Sequence, residues 1–211
     1  MSWLRARHLG IRGIRGIRGI RGIWAVLAAL TSFGTPFCAA AQDITAEVTT
    51  QGEFIMVRAS VDLPASRATA WSVLTDYDRL AQFIPDMEYS RVVSRSPEGL
   101  VVAQKGRYGV LFFARDVEVQ LAVIESAPHT VVSRFLSGNV RDMSGRYDLV
   151  ENGTGTRLVY QGRLLPAEDL PPLIGLAMVR YALERHFTAM VREIERRDAL
   201  ERGRTGQRAA Q

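Results

Sequence analysis

Asp76 and Asp78 stand two residues apart at a break between short helical segments. Converging on a pocket they would make an acid/base pair, but aspartate at such a break is explained more simply as a helix cap. His129, beside Pro128 at a turn, and His186, within a long helical stretch, are the histidines beyond residue 41. Neither has acids or a second histidine at ligand spacing, and both read as surface or helix-packing residues. The one cysteine is Cys38, so a transition-metal site, thiolate catalysis and a disulfide framework drop out together. No Gly-x-Ser-x-Gly elbow occurs. The glycine-punctuated Lys105-Gly106-Arg107-Tyr108-Gly109 lies between strands, with no helix N-terminus to hold a phosphate. Arg134 and Arg180 could grip a carboxylate, phosphate or quinone oxygen, although Arg180 could equally pair with Glu184 one turn on. Tyr147 or Tyr160 could polarise a carbonyl, which is the route to cyclase or dehydratase chemistry, yet no convincing base accompanies them. The expectation is a binding site without catalytic residues, metal or cofactor.

Charge narrows the partners. The chain has 211 residues, 27 basic and 22 acidic, for a formal charge of +5. Six arginines and no acid lie in the first 41 residues, which leaves 21 basic against 22 acidic residues and a charge of about −1 beyond them. Nucleic-acid binding needs a basic face on the folded part, and none precedes the last helix. The C-terminal arginines, from Arg192 to Arg208, are interleaved with Glu193, Glu195, Asp198 and Glu201. That pattern reads as a solvated helix face, with at most transient contact with anionic headgroups. Residues 1–41 read as a secretory signal: arginines first, in part as a fourfold Ile-Arg-Gly repeat, then the apolar run Ile23–Leu30, then Ala39-Ala40-Ala41 before Gln42. Cleavage there would deliver a cysteine-free protein to the periplasm or the exterior. The alternative, an anchor at 23–41, is weakened by Gly34 and Pro36.

The remaining chain supplies one core and its elements. Phe54–Leu63 reads as a strand, Ser66 as the cap of a helix over 67–74, and Leu80 and Phe83 as part of a second short helix stopped by Pro85. Six strands follow: 89–94, 100–108, 111–125, 130–136, 140–150 and 156–165, parted by turns such as Ser96-Pro97-Glu98-Gly99 and Asn152-Gly153-Thr154-Gly155. Val117, Val119, Leu121 and Val123 alternate with polar residues, as do Tyr147 with Leu149 and Leu158 with Tyr160. Period two with one wet face predicts an antiparallel sheet. Its cover is a helix over 173–200, whose apolar stripe includes Leu176, Leu183, Phe187, Met190 and Ile194. The boundaries read as signal 1–41, domain 42–201 and a frayed tail 202–211, in a monomer.

A curved sheet cannot touch a long straight helix along its whole length. Candidate residues facing the resulting gap are Phe83, Met87, Phe112, Met143, Tyr147 and Tyr160, with Met178, Leu183, Phe187 and Met190 from the helix. Each taken alone is explained by core packing. The element order and the segment Ala70-Trp71-Ser72-Val73-Leu74-Thr75-Asp76-Tyr77-Asp78-Arg79-Leu80-Ala81-Gln82-Phe83-Ile84-Pro85 resemble the START-like, helix-grip (SRPBCC) superfamily. Within it the chain is most similar to the coenzyme-Q-binding and polyketide cyclase/dehydrase branch. The resemblance implies an α+β fold in which a curved antiparallel sheet wraps a long C-terminal helix. It also turns the group of gap-facing residues into a pocket for a lipid, quinone or polyketide-like molecule. Cyclase-type catalysis in the same cavity, or a protein-interaction role, are the alternatives it leaves open.

Overall fold

The structure, a computed structural model, describes residues 43–110, 113–153, 155–168 and 172–209. The signal at 1–41 and Phe112 lie outside the described residues. Within them the strands are β1 (Thr45–Gln51), β2 (Phe54–Leu63), β3 (Met87–Ser96), β4 (Gly99–Val110), β5 (Phe113–Ser126), β6 (Thr130–Gly138), β7 (Asp142–Asn152) and β8 (Gly155–Leu165). They form one antiparallel sheet in the order β1-β2-β8-β7-β6-β5-β4-β3. Seven of them sit on the predicted runs. β1 does not, because only Ala46 and Val48 alternate inward and its remaining residues are exposed. Register shifts at Met87/Tyr89, Val92/Ser94 and Gln120/Leu121 bend the sheet.

Pairing sorts the two faces. Ala59, Tyr160, Tyr147 and Val131 are neighbours on successive strands of the concave face, and Val61, Leu158 and Leu149 form the next row. The convex face carries Arg58, Gln161 and Arg146 in one row and Arg163, Ser144 and Arg134 in another. Cross-strand ion pairs tie this wet side together, Arg157 to Asp62 at 2.6 Å and Arg163 to Asp142 at 2.8 Å.

The helices are α1 (Arg67–Leu74), a 3₁₀ turn (Tyr77–Arg79), α2 (Leu80–Phe83) and α3 (Pro172–Ala209). Ser66 caps α1 as expected, its hydroxyl accepting from the Thr69 N–H at 3.0 Å. The two aspartates cap nothing. Asp76 accepts from Arg79 and from Arg197 of α3, and Asp78 accepts the backbone N–H of Val92 on edge strand β3 at 2.8 Å. Asp78 thus occupies a donor that an unpaired sheet edge would otherwise expose.

α3 runs nine residues past the expected end at Leu200, through the segment read as a frayed tail. Its last turns carry three helix-compatible arginines along with Gly203 and Gly206, and Arg202 reaches back to Asp198 at 2.9 Å. The face read as fully solvated is partly a joint. Glu193 and Asp198 are buried. Arg197 bridges Glu193 and Asp76 at 2.7 Å each. Asp198 accepts the Ser66 N–H, and Glu201 accepts the Thr69 hydroxyl. These bonds lock the first turn of α1 to the C-terminal half of α3.

Candidate functional site

The concave face has a closed half and an open half. Under α1 and the C-terminal half of α3, side chains are sealed: Leu158, Leu149, Val61, Val102, Leu121 and Val123 pack with Val73 and Ile194, all buried. Toward the other end of the same strands the covering thins. Met143, Tyr147, Tyr160, Leu164, Phe135, Val117, Gln104 and Tyr108 all keep accessible surface. The helix explains this. The α3 backbone comes within 8 Å of β1 and β2 at one margin of the sheet and of β4 near the other. Among the described residues it makes no comparable approach to the central strands β8, β7, β6 and β5. Over the central strands the two backbones stand farther apart, and Met143, Tyr147, Tyr160 and Leu183 occupy the interval as partly buried side chains packed against the core.

Two tyrosines stand on that middle. Tyr147 of β7 and Tyr160 of β8 are register partners, with ring centroids 4.5 Å apart and planes inclined by 32°. The next row contains two glycines, Gly145 and Gly162, also paired with each other. A Cβ on Gly162 would lie 2.6 Å from the Tyr160 hydroxyl, and one on Gly145 would lie 3.0 Å from it. The glycines therefore provide the floor over which the Tyr160 ring lies. Tyr108 approaches from β4, and its phenol is near enough to act on that of Tyr147. From α3 comes His186, beside fully buried Phe187 and between Leu183 and buried Met190.

Burial sets the protonation of these groups. Desolvation pushes Tyr160 and Tyr108 up to about 12, the latter helped by Asp86. It raises Tyr147 further, with Tyr160 and Tyr108 adding to the effect. His186 is pushed down to about 4 by the same cause. All four are uncharged at neutral pH. Protein surrounds all four, and each retains some accessible surface.

The expected site residues divide accordingly. Met143, Tyr147, Tyr160 and Leu183 are partly buried and packed against the core cluster, with the Tyr147 and Tyr160 rings in contact. Met87 and Phe187 are sealed in the core, at 8% and 1% exposure. Phe83 lies under the Arg197 guanidinium, 5.9 Å away, and lines an outer groove with Pro85, Tyr181 and Arg185. Arg134 is on the convex face, since it pairs with Ser144 and not with a residue of the tyrosine row. Arg180 is exposed and bonded to Glu184 at 2.9 Å. Neither arginine reaches the concavity. Sequence reasoning missed His186 and the glycine pair, and it read Tyr108 within a glycine-punctuated link between strands, where the structure has it inside β4, paired with β5. Tyr108 continues the alternation Leu100, Val102, Gln104, Gly106, and His186 falls within the apolar stripe of α3, which were the available signals. Among the described residues no cluster of three or more His, Cys, Asp or Glu could hold a metal ion.

A family model described as polyketide cyclase / dehydrase and lipid transport matches residues 55–197. No curated protein matches the chain. Among solved structures it is similar to the STAR-related lipid transfer protein of Xanthomonas axonopodis, with 17% identity, a TM-score of 0.57, and coverage of 72% of this chain and 93% of that one. It is also similar to the Zhui aromatase/cyclase of Streptomyces sp. R1128 (18% identity, TM-score 0.54, 69% and 94% covered). A START superfamily protein of Mycobacterium smegmatis gives 16%, 0.51, 69% and 97%. At these identities the likeness is one of fold, and it bears out the helix-grip expectation for the superfamily without singling out its coenzyme-Q-binding branch.

Proposed function

Because the chain belongs to the polyketide cyclase/dehydrase and lipid transport family, we propose that it holds an apolar small molecule between the open half of its sheet and the N-terminal half of α3. The observation that carries this is the separation of α3 from the central strands, with Met143, Leu164, Phe135 and Leu183 left incompletely covered around it. Apolar walls with a few uncharged polar groups suit a guest of lipid, quinone or polyketide type. Excluding water from its surface supplies about 25 cal/mol per Å² buried. The arginine-rich start, apolar run and Ala39-Ala40-Ala41 support an exported carrier or sequestering protein.

Native mass spectrometry of the purified protein is the test. An apolar molecule released on denaturation, and displaced by an added quinone or long-chain lipid, is the expected result. A protein that retains nothing and takes up neither probe overturns the proposal. Export is checked separately by N-terminal sequencing of the secreted form, which should begin at Gln42; an intact N-terminus in the cytosol overturns that part.

A further inference from the structure

The two edges of the sheet are not alike. β3, at one end, is guarded: two irregularities break its register with β4, and the Asp78 carboxylate occupies the Val92 N–H. β1, at the other end, has neither device. Its seven residues pair with β2 without a register shift. Among the described residues no side chain bonds to its backbone. It contains no proline or lysine, the residues that blunt an edge, while three threonines and a valine favour extended pairing. α3 comes close to this strand on its concave side, where Ala46 and Val48 are half-buried, and Thr45, Glu47, Thr49, Thr50 and Gln51 are exposed.

We propose that β1 is an interface for a second copy of this chain, the two first strands pairing antiparallel about a two-fold axis so that one sheet continues through both subunits. The strand is complementary to itself. Directly opposed residues of an antiparallel pair point to the same face, so the axis must pass beside a single residue, and overlap of the whole strand puts it at Val48. Val48 then meets its own copy on the concave side, next to its β2 neighbour Val57, and carries the apolar row across the boundary. On the convex side Glu47 meets Thr49 and Thr45 meets Gln51. No two carboxylates are opposed along the strand, a threonine hydroxyl faces each Glu47, and Arg58 lies beside Glu47 on β2. Just past the strand ends Asp43 comes opposite Glu53, whose charge is already met by Arg141 at 3.4 Å.

Symmetry and the guarded edge together set the size of the assembly. An isologous contact uses the same strand on both subunits and closes on itself. The outer edges of the joined sheet are then the two copies of β3, which Asp78 and the register shifts withhold from further pairing. The result is a dimer and not a fibre. Seven residues at about 3.3 Å each make a contact about 23 Å long, small for a permanent dimer, so monomer and dimer exchange. The sequence reading expected a monomer because a strand with so little patterning was not visible in it.

Sedimentation velocity of the full chain over roughly 1 to 100 µM should show a weight-average mass that rises with concentration toward twice that of one chain. Thr49→Lys and Thr49→Glu, each checked for an unchanged circular dichroism spectrum, test the pairing itself. Position 49 faces Glu47 of the other copy, twice by symmetry, so Thr49→Lys should tighten the dimer and Thr49→Glu loosen it, each several-fold. In a Cys38→Ser background, Val48→Cys should give a disulfide-linked dimer on mild oxidation, since directly opposed Cα atoms lie about 4.5 to 5.5 Å apart. Thr45→Cys should not. A monomer at every concentration, the same response to both charges at position 49, or cross-linking of Thr45→Cys but not of Val48→Cys overturns the proposal. Growth beyond a dimer overturns it as well. So does a monomer whose β1 amides are fully protected from hydrogen exchange, which would give the edge to another segment of the same chain.

Discussion

At the scale of single residues, the interior is organised by what each side chain gives up on leaving water. His186 shows this most directly. Its pKa is about 4 in the folded protein against 6.5 in the unfolded chain, because burial disfavours the imidazolium. Between those values the unfolded state binds more protons, so stability falls as pH falls from about 6.5 to about 4, by up to roughly 3 kcal/mol. Tyr108, Tyr147 and Tyr160, all shifted upward, remain protonated throughout and add nothing in that window. Urea denaturation at pH 7 and pH 5 should show the loss, and His186→Leu should flatten the difference; an unchanged pH dependence in the variant would assign the loss elsewhere. Gly162 gives a second prediction. Gly162→Ala places a methyl where the Tyr160 hydroxyl now lies, 2.6 Å away, and the ring can swing clear. Stability should change by about 1 kcal/mol or less, while near-ultraviolet circular dichroism and quinone affinity both shift. The tyrosines were legible in advance because β7 and β8 alternate cleanly. Arg134 was not, since Val131-Val132-Ser133-Arg134-Phe135 has apolar residues at both parities and its own strand carries an extra residue, Leu136, opposite Gln120/Leu121.

At the scale of elements, the pattern that makes a strand visible is also what hides β1. Strands with one sealed face announce themselves by period two, whereas an edge strand with two half-buried residues offers almost no contrast. The polar joint between α1 and α3 was hidden for a different reason. Charges at i, i+3 and i, i+4 look alike whether they face water or another helix, and only the fold brings Asp76 to Arg197. Arg197 is 18% exposed and serves two carboxylates. Its removal leaves Glu193 and Asp76 desolvated with fewer partners, so Arg197→Ala should cost about 2 kcal/mol in chemical denaturation, well above an exposed pair such as Arg180–Glu184. Acid tests the same joint. Arg196 and Arg197, against the cost of burial, hold Glu193 down to about 2. That stabilisation is present above about pH 4.5 and is lost as pH falls toward 2, so most of its loss comes at lower pH than that of His186.

For the molecule as a whole, one long helix has two jobs on one sheet. Its C-terminal half, fastened to α1 by Arg197, Asp198 and Glu201, seals a conventional core. Along its length its backbone lies closer to β1, β2 and β4 than to the central strands β5 to β8. Stability and binding should therefore respond oppositely to truncation in the two halves. Leu158 has no exposed surface, and Leu158→Ala leaves a cavity the packed core cannot close, at a cost of about 3 kcal/mol or more. Met143 sits on the same face but is only partly covered, so Met143→Ala removes contacts from one side of the side chain and should cost about 1 kcal/mol. Affinity for an apolar probe should follow the reverse order, nearly unchanged in Leu158→Ala and lowered several-fold in Met143→Ala. Paired urea titrations and probe binding on the two variants measure both quantities. Equal destabilisation would mean that the concave face is packed evenly, and an unaltered affinity in Met143→Ala would remove β7 from the walls of the site. The division also explains why the fold was readable and the site only half so. A sealed core is written in the periodicity of many residues, whereas an opening depends on where a straight helix and a bent sheet part, a distance that no single residue records.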